Sequence, residues 1–181
     1  MKKNLKSHKR LDKPIKIIYY QKISNITPKS HNSNELFPID WTVDGIVKEE
    51  DLKKVFDPFY TTRTTRKVGM GIPLFKMAAE QTGGSLEIKS ELGVGTEVKA
   101  IFKMDSVDFT PLGDVPSTIQ MLITMNTDRD FVYKLTVDGK EFVCDTREVK
   151  AILGDVPLDT YEVSQWLLDF IKENTDEIYG G

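Results

Sequence analysis

Asp57-Pro58-Phe59-Tyr60-Thr61-Thr62-Arg63 is followed, after a short cationic stretch holding Arg66 and Lys67, by Gly69-Met70-Gly71-Ile72-Pro73-Leu74. The Asp-Pro pair predicts a turn, and the two glycines just before a run of helix formers predict a helix entrance. A helix entrance attracts anions, because its first-turn N–H groups have no intrahelical partner and the peptide dipoles point their positive end there. Glycine lets a phosphate approach the main chain closely. Pro73 suits the first turn, where a missing N–H costs nothing. A Gly-x-Gly pair before a helix is also a common way to make a tight turn, so its neighbours decide between the two readings.

Downstream, Ile72, Phe75 and Ala79 share one face of a helix predicted over Ile72 to Thr82, and Gly83-Gly84 closes it in the manner of a left-handed cap. Ser85 to Lys89 and Glu97 to Phe102 alternate polar and apolar residues, and the glycine-rich turn from Glu91 to Gly95 makes them a hairpin. Upstream, Glu49 to Phe56 predicts a short helix with acids in its first turn and lysines in its last, as the helix dipole favours. The third glycine cluster, Gly93-Val94-Gly95-Thr96, lies in the hairpin turn.

These three motifs, in this order, resemble the F box and the second and third glycine boxes of the histidine-kinase-like ATPases, the superfamily that also holds gyrase, Hsp90 and MutL. The resemblance implies a two-layer α/β sandwich of the Bergerat type, with ATP and Mg²⁺ as ligands. Carried over position by position, it implies nucleotide contacts from Phe59, Thr61, Thr62, Arg63, Lys67, Gly69, Met70, Gly71, Ile72 and Thr96. Asp44, in Val43-Asp44-Gly45-Ile46-Val47, is the candidate for the aspartate that accepts from the adenine amino group. The chain departs from the family in two places: no second glycine follows Asp44-Gly45, and residues 1–40 contain no helix pairing a carboxylate with a metal-anchoring asparagine. No catalytic residue or metal ligand is therefore assigned. The expectation is an incomplete ATPase sandwich, with residues 1 to about 40 standing in place of the family's first half through truncation or a frame shift.

Composition supports three segments. Residues 1–40 are basic and poor in apolar side chains except for Ile15-Lys16-Ile17-Ile18-Tyr19-Tyr20, which predicts a single strand in an otherwise loosely attached segment. Residues 41–104 carry the ATPase-like motifs. Residues 105–181 predict a small α+β extension, with a hairpin of Phe131 to Val137 and Lys140 to Asp145 about Asp138-Gly139. In its last helix, Val163, Trp166, Leu167, Phe170, Ile171 and Ile178 lie on one side, which makes Trp166 an expected core residue. Leu112-Gly113-Asp114-Val115-Pro116 recurs as Leu153-Gly154-Asp155-Val156-Pro157, and each copy is expected to cap a following helix.

The formal net charge of −3 over 181 residues gives no reason to expect nucleic-acid binding, whose electrostatic footprint would be a basic face. The single cysteine, Cys144, excludes an internal disulfide and is expected to be a buried apolar residue in a reducing, cytosolic setting. His8 and His31 read as ordinary surface residues, and no apolar run is long enough to span a bilayer. The chain is also similar to small stand-alone ATP-binding proteins of anaerobic bacteria, some encoded beside iron-hydrogenase subunits. That similarity implies a kinase-type signalling component acting on a separate protein partner; the alternative is an inactive regulatory or binding module.

Overall fold

Alternation of side chains along the strands, rather than any single long helix, sets the architecture. The computed structural model describes residues 15–21, 39–43, 52, 54–60, 69–91 and 95–180. Six strands, β1 (Ile15–Gln21), β2 (Ile39–Val43), β3 (Ser85–Glu91), β4 (Gly95–Ile101), β5 (Phe131–Val137) and β6 (Lys140–Asp145), form one sheet in the order β3-β4-β2-β1-β5-β6. β1 pairs with β5 in parallel, with Ile17 opposite Tyr133, and the other neighbours are antiparallel. The basic N-terminal segment thus supplies a strand to the middle of the sheet, and the C-terminal hairpin continues the sheet begun by β3 and β4. The fold is α/β, as expected.

Helix α1 (Gly71–Gln81) lays Ile72, Phe75 and the fully buried Ala79 toward the sheet. Ile72 and Phe75 pack on the small core of Leu86, Val98 and Ala100. The helix closes as its sequence predicts: Gly83 has φ +80, and Gly84 N donates to Ala79 O at 3.0 Å. The buried Thr82 seals the corner, its hydroxyl donating to Ala79 O at 2.8 Å and accepting from Lys103 N at 3.0 Å. At Gly84 a Cβ would lie 1.8 Å from the carbonyl oxygen of Ile101, a backbone atom that can move only with β4. Gly84→Ala is therefore expected to cost about 3 kcal/mol, the upper part of the overpacking range. Gly113→Ala, whose Cβ would meet nothing within 4 Å, is expected to stay within roughly 0.5 kcal/mol. Urea unfolding of the two variants checks the contrast.

The larger core lies over β5 and β6, under α2 (Val115–Met125), α3 (Thr146–Leu153) and α4 (Tyr161–Gly180). Ile123, Leu135, Leu167 and Ile171 are fully buried in it. Phe102, just after β4, packs against both cores and lies 5.6 Å from the Phe75 ring. Asp138 (φ 49) and Gly139 (φ 85) form the left-handed pair expected of a two-residue hairpin. Cys144 is buried, as expected, and burial pushes its thiol up to about 11.

Three expectations for this half are corrected. Trp166 is 45% exposed and stacks on Phe170 at 5.3 Å, so it sits at the rim of the core rather than inside it. The two Leu-Gly-Asp-Val-Pro copies do different things. Asp114 caps α2 by accepting from Ser117 N at 2.9 Å, whereas Gly154 (φ 61) ends α3, its N–H donating to Lys150 O. Helix α3 is also additional to the elements expected from sequence. Asp145 ends β6 and caps α3 by accepting from Arg147 N at 2.9 Å, and the buried Thr146 hydroxyl accepts from Phe131 N at 2.8 Å.

Hydrogen bonds from the Arg147 side chain, more than the backbone bond or the bare charge, hold the Asp145 carboxyl below its ordinary range. A depressed carboxylate contributes stability above its unfolded value, near ~3.9, and that stability is lost as pH falls through the folded value. Asp145→Asn keeps a cap acceptor but no charge, so its melting temperature is expected to fall less than that of the parent between pH 5 and pH 2.

Candidate functional site

The Asp-Pro turn is built from its own main chain. Phe59 N donates to Asp57 Oδ1 at 2.9 Å and Tyr60 N to Asp57 O at 3.0 Å. Gly69 N then donates to Pro58 O at 2.9 Å, which brings the turn beside the start of α1. Met70 stands at the helix N-cap without a side-chain capping bond, and no acidic residue occupies the first turn. Among the described residues, the first-turn N–H groups and the dipole's positive end are thus without the capping side chain or first-turn acid that usually compensates them.

Gly71 separates the functional from the purely structural account of this entrance. Its backbone is not in the left-handed region, and a Cβ placed on it would meet nothing within 4 Å. Folding does not require glycine there; the open space beside the first turn is what a side chain would fill. Ile72 faces inward on the small core, Met70 is about half exposed, and Phe59 is exposed.

Sheet register supplies the other end of the site. Thr96 is buried near the start of β4, its hydroxyl 2.8 Å from that of Ser90. Its Cα is paired with Val43, the last residue of β2, so Thr96 lies beside the strand end that runs into Asp44 in sequence. The tight Thr82–Gly84 corner turns the chain back on itself, which directs the N-terminus of α1 toward this same end of the sheet. Ser90 went unassigned at the sequence level; its position across from Thr96 in the β3–β4 register was the signal available for it. Two cations near the entrance are already engaged with rings: Lys76 lies 4.3 Å from the Phe56 ring centroid and Lys54 lies 6.0 Å from that of Tyr60.

Asp44, Thr61, Thr62, Arg63 and Lys67 lie outside the described residues, as do His8, His31 and half of the helix expected over Glu49 to Phe56. Among the described residues, no group of three His, Cys, Asp or Glu side chains is placed to hold a metal, and no helix is long and apolar enough to cross a membrane. The open Gly71 entrance fits the phosphates of a nucleotide. The described residues offer Mg²⁺ no such donor set.

Residues 31–106 match the family of histidine kinase-, DNA gyrase B-, and HSP90-like ATPases, so this part of the chain is similar to those ATPases. The sensor protein SrrB of Staphylococcus aureus, in strains NCTC 8325 / PS 47 and COL, is 45% identical over 76 residues, covering 39% of this chain and 13% of the relative. The chain therefore spans only about 13% of the length of these curated relatives. The family match takes in β2, α1, β3 and β4, and leaves β1, β5, β6 and α2–α4 outside it. No solved structure matches the chain.

Proposed function

We propose that the chain binds ATP at the entrance of α1 and works as a kinase-type signalling component acting on a separate protein. The observation that carries this is the Gly71 entrance: an uncapped first turn, facing open space, at a glycine the fold does not need. In this reading the first-turn N–H groups and Gly69 hold the phosphates, and Arg63 and Lys67 neutralise their charge. Met70 and Ile72 set the helix entrance, while Phe59, Thr61 and Thr62 shape the loop beside it. Asp44, which follows β2 in sequence, accepts from the adenine amino group, and Thr96, paired with Val43, offers its hydroxyl to the nucleotide. Mg²⁺, if it accompanied the nucleotide, would offset the charge of the phosphates.

The missing second glycine after Asp44-Gly45 favours one other reading, a module that keeps the shape and works by binding without phosphoryl transfer. Titration of the 181-residue chain with Mg-ATP, followed by amide chemical shifts, tests the first claim: saturable shifts at Gly69, Gly71 and Thr96 are expected. Shifts confined to other residues, or none, would remove it. Transfer of labelled γ-phosphate to candidate proteins separates the kinase from the binding module.

A further inference from the structure

We infer that β3 is a docking edge for a second copy of this chain, the two β3 strands pairing antiparallel about Ile88 so that two sheets run into one. Among the described residues β3 ends the sheet, with β4 on one side and no strand on the other. Its seven residues pair with β4 without a break, from Ser85 opposite Ile101 to Glu91 opposite Gly95. Neither a proline nor a bulge, devices that commonly blunt an edge, interrupts it. Its outward N–H and C=O groups therefore form a regular row open to another strand.

Charge selects the occupant and the register. Leu86 and Ile88 belong to the small core under α1, whereas Glu87, Lys89 and Glu91 are exposed and alternate with them onto the opposite face. In a symmetric antiparallel pair, residues opposite each other share a face, so the twofold axis passes through a residue. Three central positions of the axis pair most of the strand. With the axis at Glu87, that carboxylate meets its own copy. With the axis at Lys89, lysine meets lysine and Glu87 meets Glu91. With the axis at Ile88, Glu87 of each copy meets Lys89 of the other, Ser85 meets Glu91, and Ile88 meets Ile88. Only this last register avoids like charges directly opposite each other, which destabilise a strand pair. On β4, Lys99 lies opposite Glu87 and Glu97 opposite Lys89. The dimer thus carries a row of alternating sign: Lys99 and Glu87 of one copy, then Lys89 and Glu97 of the other. Ile88, only partly buried in one copy, gains an apolar neighbour across the axis.

Main-chain bonds supply the affinity of such an edge contact and the side-chain pairs its register, so association is expected to be weak and to weaken further with salt. Sedimentation of the full 181-residue chain at rising concentration measures it. Glu87→Lys and Lys89→Glu each put like charges opposite one another at two places, and each is expected to weaken dimerisation by about ten- to a hundredfold. An equimolar mixture of the two variants restores opposite charges at both places and is expected to recover most of the lost affinity, which a folding defect would not allow. Val143→Lys, at an exposed position on the other edge strand, β6, is expected to leave association unchanged. The proposal is overturned by a parent chain that stays monomeric at about 1 mM, by a dimer that persists in both charge variants, by a mixture no tighter than either variant alone, or by dissociation in Val143→Lys.

Discussion

Leu167→Ala is expected to destabilise the protein by about 2–5 kcal/mol, and Trp166→Ala, one residue earlier on the same helix, by much less. Leu167 is fully buried against β5 and β6, so truncation removes apolar burial and leaves a cavity walled by residues such as Leu135 and Ile171 that are themselves fixed. Trp166 covers the edge of that core with one ring face on Phe170 and is 45% exposed. Its loss forfeits one stacked pair, worth about 0.5–1.5 kcal/mol, and part of the burial of its ring. Urea unfolding with both variants gives the comparison directly. A Trp166→Ala loss as large as that of Leu167→Ala would contradict the rim placement.

That contrast shows where the sequence was informative. Helical period assigned Val163, Leu167, Ile171 and Ile178 to a buried stripe, and all four are buried. It placed Trp166 on the same side, but a stripe about 100° wide has edges, and depth beneath an edge depends on what the facing sheet provides. The α1 helix, its Gly83 cap and the β3–β4 hairpin were legible because each is a local event with its own turn chemistry. Helix α3 was hidden because Asp145 both ends a strand and caps a helix, so the apolar alternation of β6 runs straight into it. The central place of β1 and its parallel pairing with β5 join residues more than a hundred positions apart, and no local pattern encodes such a partner. The start of α1 at Gly71 was readable for the same reason as the hairpin. The proximity of Thr96 to the end of β2 was not, because it depends on sheet register.

Gly71→Val is expected to abolish saturable Mg-ATP binding while leaving the fold intact. The 181-residue chain offers first-turn N–H groups, Arg63, Lys67 and the Thr96 hydroxyl to a nucleotide, but the sequence of residues 1–40 carries no motif that pairs a carboxylate with a metal-anchoring asparagine. Asp44-Gly45 also lacks the second glycine that would shape the adenine loop. Each missing or misplaced contact removes about 1–3 kcal/mol, so two of them weaken binding by roughly two to four powers of ten. Starting from micromolar affinity for a complete site, the expected dissociation constant for this chain is about 0.1–10 mM. A valine side chain at position 71 occupies the open space that the phosphates need, yet meets no protein atom within 4 Å at its Cβ, so the unliganded melting temperature should hardly change. Calorimetry and shift titration over that concentration range read both quantities. Micromolar, Mg²⁺-dependent binding by the parent chain would show that the missing contacts are supplied by other residues, and equal binding by Gly71→Val would move the nucleotide away from α1 altogether.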